Sequence, residues 1–144
     1  MRLSLCLLRI ASDTTFENVQ ANGGNVAGSR PCVVKNTMAS QATVASITFF
    51  GGQCQHVGSG QHELEINGNG LSSGATSVQS YGLHMETSTG SLGVRIVDAR
   101  NVLFVGFNSS GQGPDQYSIS ESIPGNTQNV RVENAYNSSH SETS

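Results

Sequence analysis

The chain has no tryptophan, and only 12% of its 144 residues carry charge, about half the share common in soluble domains. Seven Lys and Arg against ten Asp and Glu leave a formal charge of −3, with no basic cluster to attract phosphates or anionic lipid. Neither nucleic acid nor a membrane is expected as a partner. No apolar run approaches the ~20 residues of a transmembrane helix. The three cysteines, Cys6, Cys32 and Cys54, form neither a CxxC pair nor an even set. Buried free thiols are therefore expected rather than a zinc site or a disulfide framework. No motif asks for a metal or a cofactor: "NGNG" and "GSGQ" are glycine-rich, but neither makes the GxGxxG turn between strand and helix that cradles a dinucleotide.

What the chain has instead is Gly, Ser, Asn, Thr and Gln punctuating short apolar clusters. No segment spaces apolar residues at i, i+3, i+4 and i+7, so the expected fold class is all-β, with few helices. Four segments share an apolar residue, any residue, then Asn or Gly: "TFENVQAN" (15–22), "TFFGGQCQ" (48–55), "LFVGFNSS" (103–110) and "RVENAYNS" (131–138). Their lead residues, Phe16, Phe49, Phe104 and Val132, are separated by 33, 55 and 28 residues. The middle gap spans two periods, and "SYGLHMET" (80–87), where Leu83 and Met85 alternate with polar neighbours, is read as the missing copy. A second family of alternating segments lies between them: "CVVK" (32–35), "LEIN" (64–67), "VRIVD" (94–98) and "YSISES" (117–122). Runs of Gly, Asn, Ser and Pro such as "NGNGLSSGATS" and "SSGQGPDQ" separate the families as turns.

A period of about 28 residues with two or more short strands per unit is the pattern of a parallel β-solenoid. Equivalent positions then stack at the strand spacing of about 4.8 Å. Phe16, Phe49, Leu83, Phe104 and Val132 are expected in one interior ladder, and Val34, Leu64, Ile96 and Ile119 in another. Asn18, Gly51, Gly106 and Asn134 mark bends that need unusual dihedrals. An antiparallel β-sandwich, also made of closely spaced short strands, is the alternative. The repeats occupy 14–138, after a weakly signal-like strand or cap at 1–13 and before a polar tail at 139–144.

This repeat style resembles the pectin-lyase-like superfamily, which includes pectate lyases, polygalacturonases and phage tailspike depolymerases. The resemblance implies a right-handed, single-stranded parallel β-helix of about four to five coils. It implies a polysaccharide partner, cleavage of glycosidic bonds by hydrolysis or elimination, and a secreted, extracellular or virion-surface location. It also implies either a homotrimer, as in tailspikes, or the remainder of a longer β-helix protein. Diagnostic enzyme residues are missing. "GQH" (60–62) and "RIV" (95–97) replace the Gly-His-Gly and Arg-Ile-Lys of polygalacturonases, no Asp-Asp pair occurs, and Asp13, Asp98 and Asp115 make no calcium cluster.

Candidate site residues therefore rest on local chemistry. His84 and Glu86 sit two apart on one strand, with Asp98 at the end of the next, an imidazole and two acids suited to acid–base catalysis. Lys35, Glu65 and Arg95 are expected to form one outward column in consecutive coils, able to grip a charged sugar. Two acids about 5–9 Å apart in a groove would mark an enzyme. A flat Ser/Thr/Asn-lined face with scattered acids would mark the other reading, a non-catalytic structural or glycan-binding module such as a tail-fibre, stalk or adhesin segment.

Overall fold

A computed structural model describes residues 12–22, 24, 32–36, 44–55, 61–71, 74–87, 93–106, 108–111, 117–120, 124–133 and 136–137. Cys6, Asn134, the segment before Ser12 and the tail after Asn137 lie outside these residues. The described chain is all-β. In order, the strands are β1 (Ser12–Glu17), β2 (Gln20–Asn22), β3 (Cys32–Lys35), β4 (Val44–Phe50), β5 (Gln53–Gln55), β6 (Leu64–Asn67) and β7 (Ala75–Tyr81). Then follow β8 (His84–Thr87), β9 (Val94–Val97), β10 (Ala99–Val105), β11 (Asn108–Gly111), β12 (Tyr117–Ser120), β13 (Gln128–Glu133) and β14 (Tyr136–Asn137).

These strands build three sheets by rotation. The first holds β1-β4-β7-β10-β13, the second β2-β5-β8-β11-β14 and the third β3-β6-β9-β12. Each pass of the chain thus adds one strand to each sheet, up to the third sheet's last strand, β12. All pairs are parallel, which an antiparallel sandwich does not have. Along β4 the alternation is plain: Ile47 and Phe49 are buried, while Thr48 and Phe50 point the other way. Ile47, Phe49, Ile66, Met85, Ile96 and Phe104, drawn from all three sheets, belong to one apolar cluster. The rings of Phe16 and Phe49 stack at 5.1 Å.

The register corrects two expected ladders. In the first sheet Phe16 aligns with Phe49, Ser80, Phe104 and Val132 in turn. Ser80, not Leu83, holds the missing rung, and Leu83 is buried in the turn before β8. In the third sheet Val34 aligns with Ile66, Ile96 and Ile119, whereas Leu64 aligns with Cys32, Val94 and Tyr117. Leu64 faces inward as expected but stands in the neighbouring ladder, two residues along the same strand, because a slip of two residues leaves the face unchanged.

Left-handed residues fall in columns. Asn18, Gly51, Gly82 and Gly106, with φ of 50°, 61°, 67° and 63°, turn the chain from the first sheet into the second. Their amides stay in the inter-strand ladder: Gly51 N donates to Tyr81 O and Gly82 N to Val105 O, each at 2.8 Å. A second column lies inside the first sheet, where Asp13, Ser46, Ser77, Asn101 and Asn129 all have φ of 53–55° and stack in register. Asp, Ser and Asn hold this backbone because their short polar side chains hydrogen-bond locally. Asn129 Nδ2 donates to Asn101 Oδ1 at 3.0 Å.

The expected free thiols at two of the cysteines are instead a disulfide. Cys32 on β3 is bonded to Cys54 on β5, with Cα atoms 5.9 Å apart. The bond ties the third sheet of the first pass to the second sheet of the next. An odd cysteine count hid this pairing, which depends on the fold bringing residues 22 apart in sequence to bonding distance.

Candidate functional site

His84 opens β8 in the second sheet, half-buried and in register with Gln53 and Asn108. Glu86 follows two positions on, in register with Gln55 and Ser110. Asp98 is elsewhere. It occupies the corner between β9 and β10, where the third sheet hands the chain to the first, and is 1% exposed. Its Oδ2 accepts from Gly70 N at 2.9 Å, and its Oδ1 accepts from Asn126 Nδ2 at 3.4 Å. Asn126 Nδ2 also donates to Gly70 O at 3.2 Å. Gly70, Asp98 and Asn126 come from three successive passes, so this carboxylate stitches the stack together.

The expected column of Lys35, Glu65 and Arg95 is also rearranged. Glu65 aligns with Arg95, but their rung continues to Val33; Lys35 aligns with Asn67 instead. Glu65 is 2% exposed. Asn67 Nδ2 donates to Glu65 Oε1 at 2.7 Å, and Arg95 Nη1 lies 4.0 Å from the same oxygen. A buried carboxylate requires such partners. Arg95 is left reaching solvent, with 39% of its side chain exposed. Glu63, two residues earlier, is fully buried and was not singled out from the sequence. The alternation of acids in "HELE" (62–65) was its one signal, and ordinary solvated strands carry the same alternation.

The outer face of the first sheet has a different character. The rings of Phe50 and Tyr81 stack there at 5.2 Å and 15°, and Phe50 is 47% exposed. Tyr81 Oη donates to Gln79 Oε1 at 3.0 Å. Half-buried Thr48, Leu103 and Val105 stand in the same two columns. Glu17 lies at one end of these columns, and an Arg131–Glu133 ion pair lies at the other. Alternation about the inward Phe49 makes Phe50 outward, but its ring partner is not legible in the sequence, where "SYGLHMET" aligns on Leu83 and so sets His84, not Tyr81, beside Phe50.

Among the described residues no three His, Cys, Asp or Glu side chains cluster as metal ligands, and no helix is long and apolar enough to cross a membrane. No protein-family model, no curated protein and no solved structure matches this chain.

Proposed function

We propose that this chain is a module of a right-handed parallel β-helix, resembling the pectin-lyase-like proteins in style. It binds polysaccharide on the outer face of its first sheet without cleaving it. The rotation of strands through three parallel sheets supports the helix, and parallel crossovers within a sheet are right-handed in about 98% of cases. The Cys32–Cys54 disulfide fits a secreted, extracellular or virion-surface protein, since such bonds persist in oxidising compartments.

The observation that carries the binding reading is the stack of exposed Phe50 on half-buried Tyr81, on a face they share with Thr48, Gln79, Leu103 and Val105. Aromatic rings offer apolar area at little entropic cost, and flanking amides and hydroxyls can bond to sugar hydroxyls. The placement of His84 and Glu86 at alternate positions of β8, which share a face of a strand, favours a second reading, glycosidic cleavage by hydrolysis or elimination with those two as acid and base.

The test is retention of the folded protein on acidic and neutral polysaccharides, with light scattering of the polymers afterwards. Retention should occur without loss of polymer size, and Phe50→Ala should weaken it roughly tenfold, ~1.4 kcal/mol. No retention on any polymer would sink the reading. Depolymerisation abolished by Glu86→Gln would establish the enzyme in its place.

A further inference from the structure

On the outer face of the third sheet, the strand register brings together an amine, an amide and a buried carboxylate. Lys35, the last residue of β3, is paired with Asn67, the last residue of β6. Both are half-buried, and both alternate with the inward Val34 and Ile66, so they share a face. A lysine stem is long enough to bridge the ~4.8 Å between neighbouring strands. The amide of Asn67 is held at both ends: Nδ2 donates to Glu65 Oε1 at 2.7 Å, and Oδ1 accepts from Asn69 N at 2.8 Å. Glu65 is itself buried. A carboxylate able to carry protons thus touches the nitrogen that would leave, and a backbone N–H touches the oxygen where negative charge would develop under attack at Asn67 Cγ.

We infer that Lys35 and Asn67 join spontaneously in an amide bond between β3 and β6, with Glu65 as the proton carrier. Lys35 Nζ gives one proton to Glu65 and its electron pair to Asn67 Cγ, and Glu65 passes the proton to Nδ2 as the Cγ–Nδ2 bond breaks. The second proton shed by Nζ departs with the ammonia as ammonium, so no further reactant is needed. Holding amine and amide on paired strands makes the step intramolecular, which offsets the inertness of an ordinary amide. The competing attack on Cγ by the backbone of Gly68 is hindered, because Gly68 N donates to Val97 O at 2.9 Å. The product ties the first pass of the chain to the second, as the Cys32–Cys54 disulfide also does. Polysaccharide binding plays no part in it.

The test is the intact mass of the whole chain, followed over time in the folded state and reduced just before each measurement. The native protein should come to weigh one ammonia less than its sequence, whereas protein kept in urea from the outset should retain its full mass. Trypsin should leave the bond after Lys35 uncut, and a further cut after glutamate should release a branched peptide joining Lys35 to Asn67. Lys35→Arg keeps the charge and should keep the full mass. Glu65→Gln should slow the loss of ammonia about 100-fold or more, with circular dichroism checking that both variants fold. Full mass in the folded native chain overturns the inference, whatever the variants do. Loss of ammonia without the branched peptide, or persisting in Lys35→Arg, is succinimide formation from an asparagine and overturns it as well.

Discussion

Replacement of Asp98 should cost folding stability. Asp98→Ala removes the acceptor for the Gly70 amide at 2.9 Å and for the Asn126 side chain at 3.4 Å. The shorter, charge-assisted bond contributes ~2 kcal/mol and the longer one ~1 kcal/mol. At φ of 50° alanine adds about 0.5 kcal/mol of strain that aspartate tolerates better. The expected loss is about 3–4 kcal/mol, a large part of a domain's usual 5–15 kcal/mol. Asp98→Gly relieves the strain but forfeits both bonds, and should lose about 3 kcal/mol. Asp98→Asn keeps an acceptor for Gly70 but turns an amide toward another amide, and should lose about 1–2 kcal/mol. Urea unfolding followed by circular dichroism measures all three, with the slope checked for constancy. Adding Asn126→Ala to Asp98→Ala should cost less than the two separately, because they share a bond. The reasoning fails if Asp98→Ala stays within about 0.5 kcal/mol of the native chain. It fails equally if Asp98→Asn abolishes a polysaccharide-cleaving activity at unchanged stability.

Two further outcomes are expected. Reducing Cys32–Cys54, or replacing both by Ser, should remove about 3 kcal/mol by freeing a loop of this length and lower the melting temperature by roughly 6–12 °C; equal melting curves with and without reductant would show the bond to be inert. Ser77→Asn should stabilise by about 0.5–1 kcal/mol, since asparagine suits the left-handed backbone and can join the ladder of Asn101 and Asn129, whereas Ser77→Val should lose about 1–2 kcal/mol. Denaturant midpoints decide this pair, and equal midpoints would refute the stacked bend.

The bend from the first sheet to the second was legible because few residues tolerate its backbone. Asn18, Gly51 and Gly106 announced it from type alone. The bend inside the first sheet was not legible. Asp13, Ser46, Ser77, Asn101 and Asn129 are polar residues of kinds that also fill turns and outward faces, and only their alignment makes them a column. The burial of Asp98 and Glu65 was not legible for the same reason. Alternation sets Glu65 outward and Asp98 ends a strand, and nothing local distinguishes a carboxylate facing water from one enclosed by the next pass of the chain.

The sequence by itself determined the all-β class and apolar residues of the core such as Phe49, Leu64, Ile96 and Phe104, since both follow from local alternation and turn chemistry that act over a few residues. Tertiary structure alone decided the rungs, because the passes differ in length. Successive partners Phe16, Phe49, Ser80, Phe104 and Val132 lie 33, 31, 24 and 28 residues apart, and no fixed period finds them. It also joined Cys32 to Cys54, set Phe50 against Tyr81 and placed Asp98 between Gly70 and Asn126. Each of these contacts unites different passes of the chain, and loop lengths alone control which residues meet there.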